Sequence, residues 1–495
     1  MMYSDTTESK AFGKNECAKS VLLFFLHYII FLCIITFFIF FNTVNNADET
    51  FAAYFRENLD TLGYLAVCVF ILFVLVYFYY IFEDKNFLAV GKNIVLVFSL
   101  LGISIVISYF LGYFFNIYAR PVALLALLAV MLLGRRDAIF LNIIFALMMF
   151  SIDHFSNYET EYLNGLNCFP LMAFSSGMVG IFVGSKVKTR LRSFLTGFAV
   201  CLPVILMAAC LEYSRGRGML YLLLYGLEGG LLSSVLFMAL LPVYEVLFNC
   251  VTDYRLRELT DHDAPLMREL KEKAMGTFNH SIVVAHLAEV CAIALNENTA
   301  LARAAAYYHD VGKLRQPEYF TENQAGYNPH NELSPELSVD IIRSHAKDGY
   351  DLIRSKHLPK ILADVAIQHH GTMPIKYFYA KALKMTDGEV NVEDFSYPGP
   401  KPQTKIAAII MIADASEAIS RTLPDRSPER VEAAVREIIE ERMDLGQFEE
   451  CDVTMKDLAA IRETIVSSLT GVYHSRIQYP KLKLKRPDEE EAKDE

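Results

Sequence analysis

From Ser20 to Phe41 the chain carries no Asp, Glu, Lys or Arg. About 20 such residues wound into a helix cross the hydrocarbon of a bilayer, where each backbone polar group must find its partner inside the segment. The run is too long for the apolar core of a signal peptide, and no Ala-x-Ala exit follows it. Further runs at Tyr64–Phe82, Asn93–Tyr118, Pro121–Leu133, Ala138–Ile152, Phe169–Val183, Phe194–Leu211 and Leu220–Phe248 raise the expected number of spans to eight. After Phe248 polar and apolar residues alternate as in a globular domain. That uneven distribution explains how 495 residues reach 53% hydrophobic content and a mean hydropathy of +0.28. At least one domain belongs in lipid and one in water.

The short loops give the orientation. Gly134-Arg135-Arg136 and Lys186–Arg192 are basic, whereas Asp153–Asn167 is acidic through Glu159 and Glu161. With eight spans both basic loops share a side with the two termini, which makes that side cytoplasmic; Arg215 and Arg217 run against the rule. Tryptophan is absent, so interfacial anchoring falls to the 27 tyrosines and to basic residues. The expected organisation is a tail (1–19), a first transmembrane helix (20–41), a short extracytoplasmic segment (42–63), a seven-helix membrane domain (64–249), a helical junction (250–273), a globular domain (274–480) and a charged tail (481–495). Glu228 and Glu245 are the clear carboxylates within spans, and the preferred reading is packing or interfacial placement. No ordered ladder of ionisable groups supports transport. Nine cysteines without a Cys-x-x-Cys pair suggest neither a disulfide framework nor a zinc–cysteine site. A net charge of −11 without a basic stripe argues against a nucleic-acid partner.

The globular part reads as all-α. Leu256–Lys273, rich in Glu, Lys, Arg and Leu, joins the last span to it without a Gly/Ser spacer, a joint that either transmits motion to the site or merely connects. His280-Ser281 stands at the head of an amphipathic helix, and His309-Asp310 closes an Ala-rich one with Gly312 as its stop. Ser334-Pro335 is an N-cap followed by a first-turn proline, opening the helix that carries His345. Pro359 opens one that ends in His369-His370. Asp414 lies in Ile409–Ala415, a stretch otherwise fit for a core, where a carboxylate without a cation costs several kcal/mol. Adjacent residues on a helix point about 100° apart, so His309-Asp310 needs partners from other helices to enclose an ion.

Five histidines and two aspartates on five helices suit one centre of two ions. His286, His357 and His474 lack such company and read as structural. Histidine with carboxylate selects iron or manganese over calcium. Asp310 can offer one oxygen to each ion. Two divalent ions about 3.5–4 Å apart acidify a bridging water and clamp a phosphate in line, which points to phosphoester hydrolysis. Asp310 and Lys313 are the expected catalytic residues, the lysine neutralising charge that builds on phosphate oxygens.

The motifs Gly276-Thr277-Phe278-Asn279-His280-Ser281, Tyr308–Lys313, Glu322-Asn323-Gln324 through Asn328-Pro329-His330, Gln368–Thr372, Tyr397–Pro402 and Ala413–Ala418 occur in that order. Together they resemble the HD hydrolases fused to seven-transmembrane receptors. The likeness is close from Leu256 to Pro480 and looser in the membrane region. It implies a bacterial cyclic di-AMP phosphodiesterase of the plasma (inner) membrane, opening the ring to pApA with a di-iron or di-manganese site on the cytoplasmic side. Carried over, His280, His309, Asp310 and Asp414 hold one ion, and Asp310, His345, His369 and His370 the other. By the same likeness Arg315, Tyr327, Asn328, His330 and Tyr397 border the nucleotide. A homodimer and an unidentified signal at the membrane domain are both compatible with this family. Two departures stand out: the family usually has a large extracellular sensor where only Asn42–Gly63 lies, and Met275 replaces a usual proline. Competing readings are a cyclic di-GMP or other nucleotide phosphohydrolase, although Gly371-Thr372-Met373-Pro374 lacks the Gly-Tyr-Pro signature of that relative, and a silent nucleotide-binding receptor.

Overall fold

A computed structural model of the chain describes residues 12–46, 51–155, 163–187, 189–212, 219–385, 389–425 and 427–472. Residues 1–11 and 473–495 (His474 included), Glu159, Glu161, Arg215 and Arg217 lie outside them, so of the expected first tail only 12–19 is described, and Lys14–Lys19 belongs to the first helix. Regular structure among the described residues is helical, and Pro374 pairs with Ser396 in an isolated β-bridge. The chain divides into two compact units, Met1–Ala264 with Ile353–Ile361, and Pro265–Leu352 with Leu362–Glu495.

The first unit contains α1 (Lys14–Asn46), α2 (Phe51–Glu57), α3 (Leu59–Glu83), α4 (Gly91–Phe114), α5 (Leu124–Leu132), α6 (Arg135–Phe155), α7 (Leu163–Gly184), α8 (Arg190–Glu212), α9 (Met219–Phe248) and α10 (Asp253–Leu259). Each expected span falls on one of these apolar helices, although α1 and α3 extend into the stretch read as a polar segment. The run near Pro121 is the unusual one. Ile117–Leu132 would measure about 24 Å as a helix, and it is broken at Arg120-Pro121 between a 3-10 turn (Ile117–Ala119) and α5. It is nevertheless the centre of the bundle, with every residue from Asn116 to Val130 buried. At its far end Arg136 pairs with Glu83 at 2.6 Å and Arg135 donates to Ser185 at 3.2 Å. At the same end Arg190 pairs with Glu258, and Ser193 bonds Tyr254 of α10. The basic loops therefore gather at one end of the bundle, as the orientation rule requires.

Arg120 itself is fully buried and binds Asp153 through its two terminal guanidinium nitrogens, at 2.5 and 2.9 Å, with Phe169 beneath it at 5.0 Å. Gly112 makes the space, since a Cβ there would lie 2.2 Å from Arg120 Nε. This pair corrects the expectation that Glu228 and Glu245 were the charges to consider. In sequence Arg120 falls between two runs and Asp153 opens an acidic loop, so neither reads as intramembrane. Glu245 is buried near the end of α9 and accepts from the Thr252 hydroxyl.

The junction is not one stiff helix. Asn249 takes φ +53° and ends α9, and Thr252 caps α10. The turn Thr260–Ala264 then separates α10 from α11 (Pro265–Lys273), because proline disfavours helical backbone in the residue before it.

The second unit continues with α12 (Met275–Ala294), α13 (Thr299–Tyr308), α14 (Pro335–Ser355), α15 (Lys360–Gln368), α16 (Lys376–Met385), α17 (Lys405–Thr422), α18 (Pro428–Asp444) and α19 (Met455–Val472). Although α12 is long and apolar enough to span a membrane, it packs on α13, α17 and α19 and buries the polar Thr277, His280 and Ser281. Its apolar surface meets protein. Ile406–Ala413 of α17 is buried throughout, so Asp414 emerges from the core itself. The Ser334 hydroxyl caps α14 by accepting from Leu337 N at 3.3 Å.

Candidate metal centre

The adjacent ligands converge because both pairs sit where a helix stops. α13 ends at Tyr308; His309 keeps helical angles, and Asp310 turns to φ −108°, ψ 11° ahead of a 3-10 turn, Val311–Arg315. Gly312 does not supply the left-handed stop expected of it. It lies where the turn crosses the backbone of α14, and a Cβ there would come 1.9 Å from the His345 carbonyl oxygen. At the second pair α15 ends at Gln368, and Gly371 turns the chain with φ +52°. Buried Gln447 fixes that turn, accepting from Thr372 N at 2.9 Å and donating to Thr372 Oγ1 at 2.8 Å.

All seven expected ligands meet, in two groups. His280, His309 and Asp414 form one and Asp310, His345, His369 and His370 the other, the donor atoms of each lying within 4.8 Å of one another. Asp310 stands between them. Its Oδ2 is 3.3 Å from His309 Nε2 and 3.6 Å from His280 Nε2; its Oδ1 is 3.4 Å from His345 Nε2 and 3.6 Å from His369 Nε2. His280 Nε2 also lies 3.0 Å from Asp414 Oδ1.

The rings are aimed from behind. His309, His345 and His369 each bond through Nδ1 to the carbonyl three residues earlier, at 2.7, 2.5 and 2.8 Å, which fixes the tautomer with Nε2 free to ligate. His280 uses a carboxylate instead: its Nδ1 lies 2.6 Å from Glu417 Oε2, and Glu417 is held by Arg421 Nε at 2.6 Å. Sequence reasoning missed Glu417, although it lies one turn after Asp414 and hence on the same helix face. His370 is packed flat on Tyr397, with ring centroids 4.3 Å apart.

A divalent ion fits this chemistry. His309 Nε2 and Asp310 Oδ1 are buried with no hydrogen-bond partner among the described residues, an arrangement that costs free energy unless a cation takes the lone pairs. Burial alone would raise Asp310, yet His309 and Lys313 hold it well below the usual carboxylate range. Burial would lower His280, but its bonds to Asp414 and Glu417 push it up to about 10. Burial lowers His345 to about 3 against the pull of Asp310, and His370 falls well below its ordinary value mainly through burial. Two carboxylates stay ionised at the centre and two of its imidazoles stay neutral, the forms that ligate.

Lys313 turns back into the protein, 2.7 Å from Asp310 Oδ2 and 2.8 Å from Glu322 Oε1. Thr277 also donates to that Glu322 oxygen at 3.0 Å. In this geometry the ammonium is paired with Asp310 and Glu322. Of the five nucleotide candidates, Tyr397 lies against the candidate ligands His370 and His345. The others make their contacts elsewhere. Arg315 pairs with Asp348 at 3.1 Å, Tyr327 is exposed beside Glu332, and Asn328 caps the turn Pro329–Glu332. His330 is buried, Nε2 3.0 Å from the Tyr319 carbonyl and its ring against Phe378.

The family model described as 7TM receptor with intracellular HD hydrolase matches residues 59–252, and the HD domain model matches residues 277–419. The chain belongs to this receptor–hydrolase family. The first match covers α3 to α9, leaving α1 ahead of the seven-helix domain, and the second contains all seven candidate ligands. Among the family's curated members, cyclic-di-AMP phosphodiesterase PgpH of Bacillus subtilis is 40% identical over 425 residues, 83% of this chain and 59% of that protein. PgpH of Listeria monocytogenes is 37% identical over 366 residues, 73% of this chain and 50% of that protein. The chain thus spans between half and three fifths of these relatives' lengths. A crystal structure of the L. monocytogenes PgpH HD domain in complex with cyclic di-AMP is 46% identical, with TM-score 0.42, and covers 44% of this chain and 100% of that one.

Proposed function

We propose that the chain is a metal-dependent phosphodiesterase that hydrolyses cyclic di-AMP to pApA at the cytoplasmic face of a bacterial plasma membrane. The observation that carries this reading is the pair of candidate ligand groups with Asp310 between them, in a chain with two curated relatives that carry cyclic di-AMP in their names. His280, His309, Asp310 and Asp414 would hold one ion, and Asp310, His345, His369 and His370 the second. Two such ions, iron or manganese by the donor set, supply an acidified water and a clamp for phosphate oxygens. The protein's part is positioning. Carbonyls and Glu417 aim the imidazoles, Lys313 steadies Asp310, and burial keeps the ligand set out of bulk water. Tyr397 offers a ring beside His370 against which a base can stack. The basic loops at one end of the helical bundle support placing that end, and the catalytic unit that follows α10, on the cytoplasmic side.

The test is turnover by the purified protein with manganese or iron, offered cyclic di-AMP and cyclic di-GMP side by side. Cyclic di-AMP should be converted to pApA in preference. Asp310→Ala should abolish hydrolysis while nucleotide binding stays measurable. Failure of the wild type to turn over either nucleotide with any divalent metal removes the assignment, and turnover surviving Asp310→Ala refutes the ligand roles.

A further inference from the structure

The two ligand groups differ in what stands behind them. The His280 group has a carboxylate ligand of its own, Asp414, besides the shared Asp310, and Glu417 accepts from the far side of its His280 ring. A carboxylate behind an imidazole makes it a stronger donor than a carbonyl does, and such partners typically govern metal affinity by 10–100-fold. Glu417 is buried and gripped by Arg421, so this bond is pre-formed. The other group has three imidazoles and the shared Asp310; Asp414 lies 3.9 Å from His370 but 3.0 Å from His280, so it belongs to the first group. Two of its rings, His345 and His369, are backed by carbonyls. The third, His370, is the most exposed of the five candidate ligand histidines, at 25%, and stacks on Tyr397, with no hydrogen bond to its ring among the described residues. Lys313 draws on the Asp310 oxygen that faces the first group, but its charge is offset by Glu322, so the imbalance persists.

We infer that the two metal positions are unequal: the one at His280, His309 and Asp414 fills first and is set by Glu417, whereas the one at His345, His369 and His370 exchanges more readily and is set by the Tyr397 stack. The inference rests on the two-ion reading of the site and adds an order of loading and a positioning residue for each ion. Glu417 and Tyr397 act through the rings they hold.

The experiment is calorimetric titration of the chelator-stripped full chain in detergent with Mn2+, with bound metal counted independently. The wild type should show two classes of one ion each, separated by at least about tenfold in affinity. Glu417→Gln, which keeps the shape and loses the charge, should weaken the first class by about 10–100-fold and spare the second. Tyr397→Ala should weaken the second class and spare the first, while Tyr397→Phe, which preserves the stack, should resemble wild type. Two equal sites in the wild type overturn the inference whatever the variants do. So does a variant that weakens both classes by the same factor. A wild type that binds fewer than two ions overturns the two-ion reading itself, a result distinguishable from loss of the inequality alone.

Discussion

Gly312→Ala tests whether the spacing of the ligands is set by backbone contact. The added Cβ would stand 1.9 Å from the His345 carbonyl oxygen and 2.5 Å from Gly349 N, and real Cβ atoms essentially never come within 3.0 Å of such neighbours. Both obstacles are backbone, so no rotamer change relieves them. The turn carrying Asp310 and the helix carrying His345 must part by about 1.1 Å, the shortfall between 1.9 and 3.0 Å. A displacement of about 1 Å in a catalytic arrangement costs about 100-fold in rate. Overpacking of this kind also destabilises a domain by about 1–3 kcal/mol, small enough for the variant to fold. Initial rates on cyclic di-AMP at saturating manganese, measured well below the melting temperature, should fall by about 100-fold in kcat while helical circular dichroism is retained. A folded Gly312→Ala protein within about threefold of wild-type kcat would refute the argument that this contact gauges the site.

Three further outcomes are expected. The metal-free protein should be most stable near pH 6.5. His280, raised to about 10, loses its contribution as pH climbs from 6.5 toward 10, and His345, lowered to about 3, loses its own as pH falls from 6.5 toward 3, so a melting temperature flat from pH 5 to 9 in chelator contradicts both environments. Arg120→Met should destabilise the detergent-solubilised protein by about 3–5 kcal/mol by stranding Asp153, and adding Asp153→Asn should restore much of the loss; equal melting temperatures for wild type and the single variant would count against a buried pair. A Gly/Ser spacer inserted in the turn at 261–264 should change the turnover of the full chain if the membrane unit tunes the site. Unchanged turnover favours simple anchoring.

Much of the candidate metal centre was legible because several of the expected ligands are chemical anomalies in their own helices: histidine and aspartate side by side at a helix end, a histidine pair at another, an aspartate in Ile-Ile-Met-Ile-Ala. The helices carrying them were readable from caps such as Ser334 and from periodicity. What stayed hidden is what depends on chain segments meeting. Glu417 sits in Ala-Ser-Glu-Ala, where a glutamate ordinarily faces water, and only the packing of α17 on α12 turns it toward His280. Lys313 looked free until the fold brought Glu322 beside it. Gly312 was read by local grammar as a helix stop, whereas its need for a missing Cβ comes from α14, more than 20 residues further on. The junction misled for a simpler reason: its Leu, Glu and Lys favour helix on both sides of a proline that interrupts it.

The broken segment at the centre of the membrane bundle bears on how the chain is made. Ile117–Leu132, about 24 Å long, falls short of a hydrocarbon layer of about 30 Å and carries near its start the guanidinium of Arg120, a charge that an inserting segment bears only at a cost. Alone it is a poor candidate to leave the translocation channel for lipid. Its counter-charge, Asp153, is synthesised 33 residues later, near the far end of α6. The segment therefore becomes membrane-compatible only when α6 has been translated, and the two should enter the bilayer together as a hairpin neutralised from within.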